Sequence, residues 1–158
     1  PIFGVSIALE HNGEIVSGTI NLPYLNKIYT AVKGKGAFCN NKKINVSDKE
    51  TMDFSILVFD FGHSVRAKST RMIKKIGDNV NDIRNWGCAV FALTQLAEGN
   101  MEGYVVHKTN SWDVTAGFLL IEEAGGVVTN HKNKPWSIDE TSFLASNGNL
   151  HNKLLELL

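Results

Sequence analysis

The chain carries no surplus of charge of either sign. Its 16 Lys and Arg are matched by 16 Asp and Glu, so the formal net charge is zero. A dedicated nucleic-acid binder normally shows a basic excess or stripe, and this balance argues against one. No apolar run approaches the roughly 18 residues that a membrane-crossing helix requires, and no signal-peptide pattern opens the chain. There are only 2 cysteines, Cys39 and Cys88, far apart and in no CxxC pair. That excludes a disulfide framework and a zinc ribbon, and makes a reducing, cytoplasmic setting the expectation. No strand-linked GxGxxG is present, which speaks against a nicotinamide dinucleotide binder. What remains is a globular composition, 43% apolar and 20% charged over 158 residues, long enough to bury one sizeable core.

The opening residues run straight into a buried-looking pattern. Pro1, Ile2 and Phe3 lead to Val5, Ile7 and Leu9 with no polar lead-in. Either an upstream segment is missing or this is a short exposed first strand of a complete domain. From Val5 to Val46 the spacing is that of strands. Val5, Ile7 and Leu9 alternate with polar and small residues, the period of a half-buried strand. His11-Asn12-Gly13 is a hairpin turn signal. Val16 to Leu22, Ile28 to Val32, Ala37 to Cys39 and Ile44 to Val46 continue an antiparallel meander. After Asp53 the pattern changes. Ile56 to Phe61 is apolar apart from Asp60, as expected for a strand covered on both faces. Residues 66–76 have helical spacing, and Ile83 to Trp86 is strand-like. Gly87 opens a helix that Gly99 ends. Tyr104 to Val106 is a strand. Trp112 to Ala124 is a helix apolar almost all round and therefore deeply buried. Val127 to Thr129 and Phe143 to Ala145 are strands, and residues 150–158 form a closing helix. The order predicts a layered α/β (α+β) fold, with an antiparallel section over residues 1–53 followed by an α/β unit over 54–158.

Two segments suit chemistry. Ser111-Trp112-Asp113-Val114-Thr115-Ala116-Gly117 places a carboxylate in the first turn of a buried helix. Asp113 there either offsets the helix dipole or ligates a metal, and one carboxylate alone makes no site for a hard cation. Gly87-Cys88-Ala89 begins a second helix, where free backbone N–H groups bind anions such as phosphate. The alternative is a glycine that only turns strand into helix. Cys88 reads as a small buried residue rather than a nucleophile, since no His–Asp constellation accompanies it. Gly34-Lys35-Gly36 lacks the Lys-Ser/Thr ending of a phosphate-binding loop and is a turn. The five histidines show no ligand spacing and read mostly as loop or surface residues. Trp86, Trp112 and Trp136 read as packing residues.

At these residues the chain resembles the C-terminal part of an inositol monophosphatase family protein, a magnesium-dependent, lithium-sensitive sugar-phosphate phosphatase. The similar segments include Pro1 to Leu9, Gly13 to Gly18, Ile28 to Ala31 and Lys33 to Asn40. The most specific are Trp112-Asp113-Val114-Thr115-Ala116-Gly117 and Glu122-Glu123-Ala124-Gly125-Gly126-Val127. The resemblance implies the αβαβα sandwich of that superfamily and a homodimer acting on a small phosphorylated substrate. It implies Asp113 as a ligand of Mg2+ and Gly87, Cys88 and Ala89 beside the substrate phosphate and sugar. The position that often carries a sugar-hydroxyl-binding Glu falls on Val106, which cannot accept those hydrogen bonds. Fructose 1,6-bisphosphate and a nucleotide 3'-phosphate therefore stand beside inositol phosphate as substrates. The family's Asp-rich first signature and its Glu pair are expected upstream of Pro1. A scaffold that keeps the fold without catalysis is the competing reading.

Overall fold

Asn12 and Gly13 adopt φ of 53° and 80°, the left-handed conformation that a tight hairpin needs at both central residues. They join β1 (Val5–His11) to β2 (Glu14–Leu22), and β3 (Lys27–Val32), β4 (Ala37–Cys39) and β5 (Lys42–Ile44) follow, each antiparallel to the one before. This computed structural model describes residues 2–60 and 66–158. The second sheet begins with β6 (Ile56–Asp60), and then come α1 (Arg66–Gly77), β7 (Asp82–Arg84), α2 (Ala89–Ala97) and β8 (Gly103–Val106). The remaining elements are α3 (Ser111–Glu123), β9 (Val127–Thr129), β10 (Phe143–Ser146) and α4 (His151–Glu156). Its strand order is β7-β6-β8-β10-β9, with β6 parallel to both neighbours and β10 antiparallel to β8 and β9. The layered α/β class expected from the sequence is the one observed.

The layers follow from which side chains are apolar on which face. Leu57, Phe59, Val105 and Leu144 point from the second sheet to one side and pack with Met72 and Ile76 of α1 and Leu154 of α4. Val58, Tyr104, Val106 and Phe143 point to the other side, into a core shared with α2, α3 and the inner residues Ile20, Leu22, Tyr29 and Ala31 of the first sheet. The helix pair α2/α3 thus lies between two sheets, and Val114 to Ile121 of α3 are all buried. That sandwiching is why a helix apolar all round is stable here. Trp112 departs from the expectation of packing: in the first turn of α3 it is 72% exposed.

Other boundaries also differ. Val46 lies beyond β5, its N–H donating to the Ala124 carbonyl at 3.0 Å. Trp86 follows β7 rather than extending it and meets Phe91 edge-on, ring centroids 4.9 Å apart. α4 ends at Glu156. The apolar side of β1 is the open one: Val5, Ile7 and Leu9 are 53%, 64% and 60% exposed. The reason is the close approach of α3. Ala8 pairs with Gly18, and a Cβ at Gly18 would meet the Ala116 carbonyl oxygen at 2.8 Å. At the Ala8–Gly18 pair only small side chains fit on that side.

The Gly34–Gly36 segment is a turn whose donors are already used. Gly34 N–H donates to Glu123 Oε1 at 2.6 Å and Gly36 N–H to Oε2 at 2.7 Å. A carboxylate of α3 occupies the place an anion would take.

Candidate functional site

Parallel strands of an open α/β sheet place their carboxyl ends beside the loops that lead into helices, and ligand crevices form there. In this chain a cleft of about 710 Å³ lies at the ends of β6 and β8, and Asp60 and Val106, the last residues of those strands, line it. Gly87, Cys88 and Ala89 border it from the start of α2, and Asp113 from the start of α3. The structure therefore brings all the sequence-selected positions to one cleft. Val106 forms part of its floor, only 2% exposed and packed into the central core.

Both helices present their positive ends. Cys88 is the N-cap residue of α2 and Asn110 that of α3, and neither side chain makes a capping hydrogen bond. The first-turn N–H groups of a helix have no partner inside it, and they favour negative charge. Gly87 has φ of 63°, and among the described residues nothing lies within 4 Å of the place a Cβ would occupy. Its glycine serves the left-handed turn into α2, not a steric need. Asp113 N–H donates to the Asn110 carbonyl at 3.1 Å, and Asn110 Nδ2 donates to Asp113 Oδ2 at 3.3 Å. The N-cap amide thus steadies the carboxylate at the cleft edge.

Sequence reasoning did not select Asp60, Asn85 or Lys108, which also line the cleft. The Tyr104 hydroxyl donates to Asp60 Oδ2. Asn85 Nδ2 donates to the Phe59 carbonyl at 2.7 Å and lies 3.3 Å from Asp60 Oδ1. Burial, then the nearby Asp60 charge, pushes the Tyr104 hydroxyl well above the ordinary phenol range, so it stays a proton donor. The available signal was Asp60 itself, a charge ending an otherwise apolar strand.

His11 is exposed as expected and His63 lies outside the described residues, but His107 and His151 are more buried than expected. His107 is 7% and His151 4% exposed. His151 is bonded through its two ring nitrogens to Thr129 Oγ1 at 2.9 Å and Ser146 Oγ at 2.8 Å. Among the described residues no group of three or more His, Cys, Asp and Glu is placed to hold a metal. Asp60 and Asp113 are the two carboxylates that line the cleft among the described residues. A hard cation takes about six or more oxygen ligands. The described residues do not complete such a shell.

Two five-stranded sheets around a helix pair, with the cleft at the parallel strand ends, define a protein of the inositol monophosphatase fold. The profile described as "Inositol monophosphatase family" matches residues 1–158, and the chain belongs to that family. It is 33% identical over 160 residues to the fructose-1,6-bisphosphatase/inositol-1-monophosphatase of Aquifex aeolicus, covering 99% of this chain and 60% of that protein. It is 35% identical over 163 residues to the inositol monophosphatase of Dictyostelium discoideum, covering 100% of this chain and 60% of the relative. The crystal structure of the extragenic suppressor protein suhB from Bartonella henselae superposes with a TM-score of 0.94 at 30% identity, over 98% of this chain and 60% of that one. The chain thus spans about three fifths of the length of these relatives.

Proposed function

We propose that this chain is part of a metal-dependent phosphatase that hydrolyses a small sugar or inositol phosphate in the cleft between α2 and α3. One observation carries the reading: two uncapped helix N-termini and the Asp113 carboxylate border the same cleft. Backbone N–H groups at Cys88 and Ala89 hold the phosphate oxygens, and the Gly87 turn aims them. Val106 closes the sugar side with an apolar wall. Asp113 would supply one oxygen to a bound Mg2+, and the remaining ligands would have to come from outside the described residues. When bound, the ion supplies charge neutralisation at the phosphate and an acidified water. Lithium inhibition and a homodimer belong to the same reading, as the family resemblance implies, and the free thiols Cys39 and Cys88 fit a reducing, cytoplasmic setting. A binding scaffold without catalysis is the second reading, favoured by the incomplete metal shell among the described residues.

Phosphate release from inositol 1-phosphate, fructose 1,6-bisphosphate and a nucleotide 3'-phosphate, with and without magnesium, separates the two. Protein expressed from the full gene is expected to show magnesium-dependent, lithium-inhibited release. The 158-residue chain alone is expected to show little. Asp113→Asn lowers the rate on the order of 100-fold, the upper end of what loss of a group supporting a metal costs, and leaves the thermal midpoint in place. Unchanged activity would make Asp113 a helix-dipole partner only. No release by the full-gene product leaves the scaffold reading standing.

A further inference from the structure

Asp60 has a role that pairing with Tyr104 does not exhaust. It ends β6 beside Val106, its Cα partner across the parallel pair of β6 and β8. Alternation along these strands puts Asp60, Val58, Tyr104 and Val106 on the same face of the sheet, the one that looks toward α2 and α3. Tyr104 and Val106 are 1% and 2% exposed, so this wall is apolar and dry up to Asp60. Asp60 is the carboxylate with which the wall meets the cleft.

The carboxylate is also pre-oriented. Tyr104 donates to Oδ2 and Asn85 approaches Oδ1, while Asn85 is itself tied to the backbone of Phe59 at 2.7 Å. Two carboxylate oxygens accept about four hydrogen bonds between them. Among the described residues two protein donors reach them, which leaves acceptor capacity on a carboxylate that lines the cleft. Across that cleft, the uncapped starts of α2 and α3 suit an anion. A ligand with a phosphate at one end and hydroxyl donors at the other matches both walls.

We propose that Asp60 is a specificity-determining residue that accepts hydrogen bonds from substrate hydroxyl groups, so that the cleft selects a polyol phosphate over a phosphate ester without hydroxyls. Tyr104 and Asn85 are its positioning residues. This rests on the phosphatase reading above.

The test compares kcat/KM for inositol 1-phosphate with that for phenyl phosphate, which has no hydroxyl group, using the full-gene product. Asp60→Ala and Asp60→Asn are expected to lower the ratio about 10- to 100-fold, as when a site built around a substrate hydroxyl loses its partner. Tyr104→Phe, which frees the carboxylate to rotate, lowers the ratio by less and raises KM for inositol 1-phosphate more than it lowers kcat. The double variant Asp60→Ala with Val106→Glu returns the charge from the neighbouring strand and recovers part of the preference. An unchanged ratio in both Asp60 variants overturns the proposal. So does an equal loss on both esters, which would make Asp60 a support for Tyr104 alone. If the unaltered protein hydrolyses neither ester but releases phosphate from fructose 1,6-bisphosphate or a nucleotide 3'-phosphate, this proposal alone fails; if it hydrolyses none of them, the phosphatase reading fails as well. Intact preference in the Asp60 variants defeats the proposal while leaving that reading in place.

Discussion

His107 is buried beside the rings of Phe59 and His131, at centroid separations of 6.4 Å and 5.0 Å, and its Nε2 has no hydrogen-bond partner among the described residues. Burial, then the neighbouring His131 and Lys68, pushes it down to about 4. Burial also lowers His131 and His151. A neutral native imidazole that ionises near pH 6.5 on unfolding means that the unfolded state binds more protons between those values. Stability is therefore full above about pH 6.5 and falls as pH drops toward 4. Urea unfolding from pH 7.5 to 4.5 is expected to show a falling midpoint, with a shallower fall in His107→Leu. An equal slope in both proteins would exclude His107 as a source. Nothing in the sequence marked this residue, because His107 is drawn inside by packing across the second sheet. Asp113 was legible, since a carboxylate in the first turn of a helix is a local feature.

At the scale of elements, close approach decides the central packing. A Cβ on Gly18 would fall 2.8 Å from the Ala116 carbonyl oxygen, a backbone atom that moves only with α3. At Gly117 the neighbour is the Leu93 side chain, 2.5 Å away, where α2 crosses α3. Gly18→Ala is expected to cost about 1–3 kcal/mol of stability, the range for overpacking a tight core, read as a lower urea midpoint. Gly77→Ala, at the end of α1 with its nearest atom 3.6 Å away, serves as the control. It should be neutral or stabilising by up to ~1 kcal/mol through helix propensity. Strand and helix periods revealed nearly every element, because they are local. They did not show which face of β1 turns inward. That depends on α3, more than 100 residues along the chain.

For the molecule as a whole, the first sheet has one covered face and one open face among the described residues. Val5, Ile7 and Leu9 share the open face with Ile28 and Val32, which are 49% and 48% exposed, across the row of Asn21, Thr19 and Ser17 of β2. An apolar patch of this kind promotes association when nothing covers it. The 158-residue chain alone is expected to self-associate with rising concentration in sedimentation velocity, and Val5→Thr with Ile7→Thr and Leu9→Thr to reduce it. Equal association in the variant would place the contact elsewhere.

Order of elements, the change from hairpins to strand–helix alternation, and helices opening near Gly87 and Trp112 were determined by the sequence itself. Each rests on a spacing, cap or turn residue within a few positions. Tertiary structure alone decided that the two helix starts share a cleft, since they come from separate crossovers brought together by β6 and β8. It alone set Asp60 beside Val106, because register between strands 46 residues apart is fixed by the packed sheet and leaves no local mark.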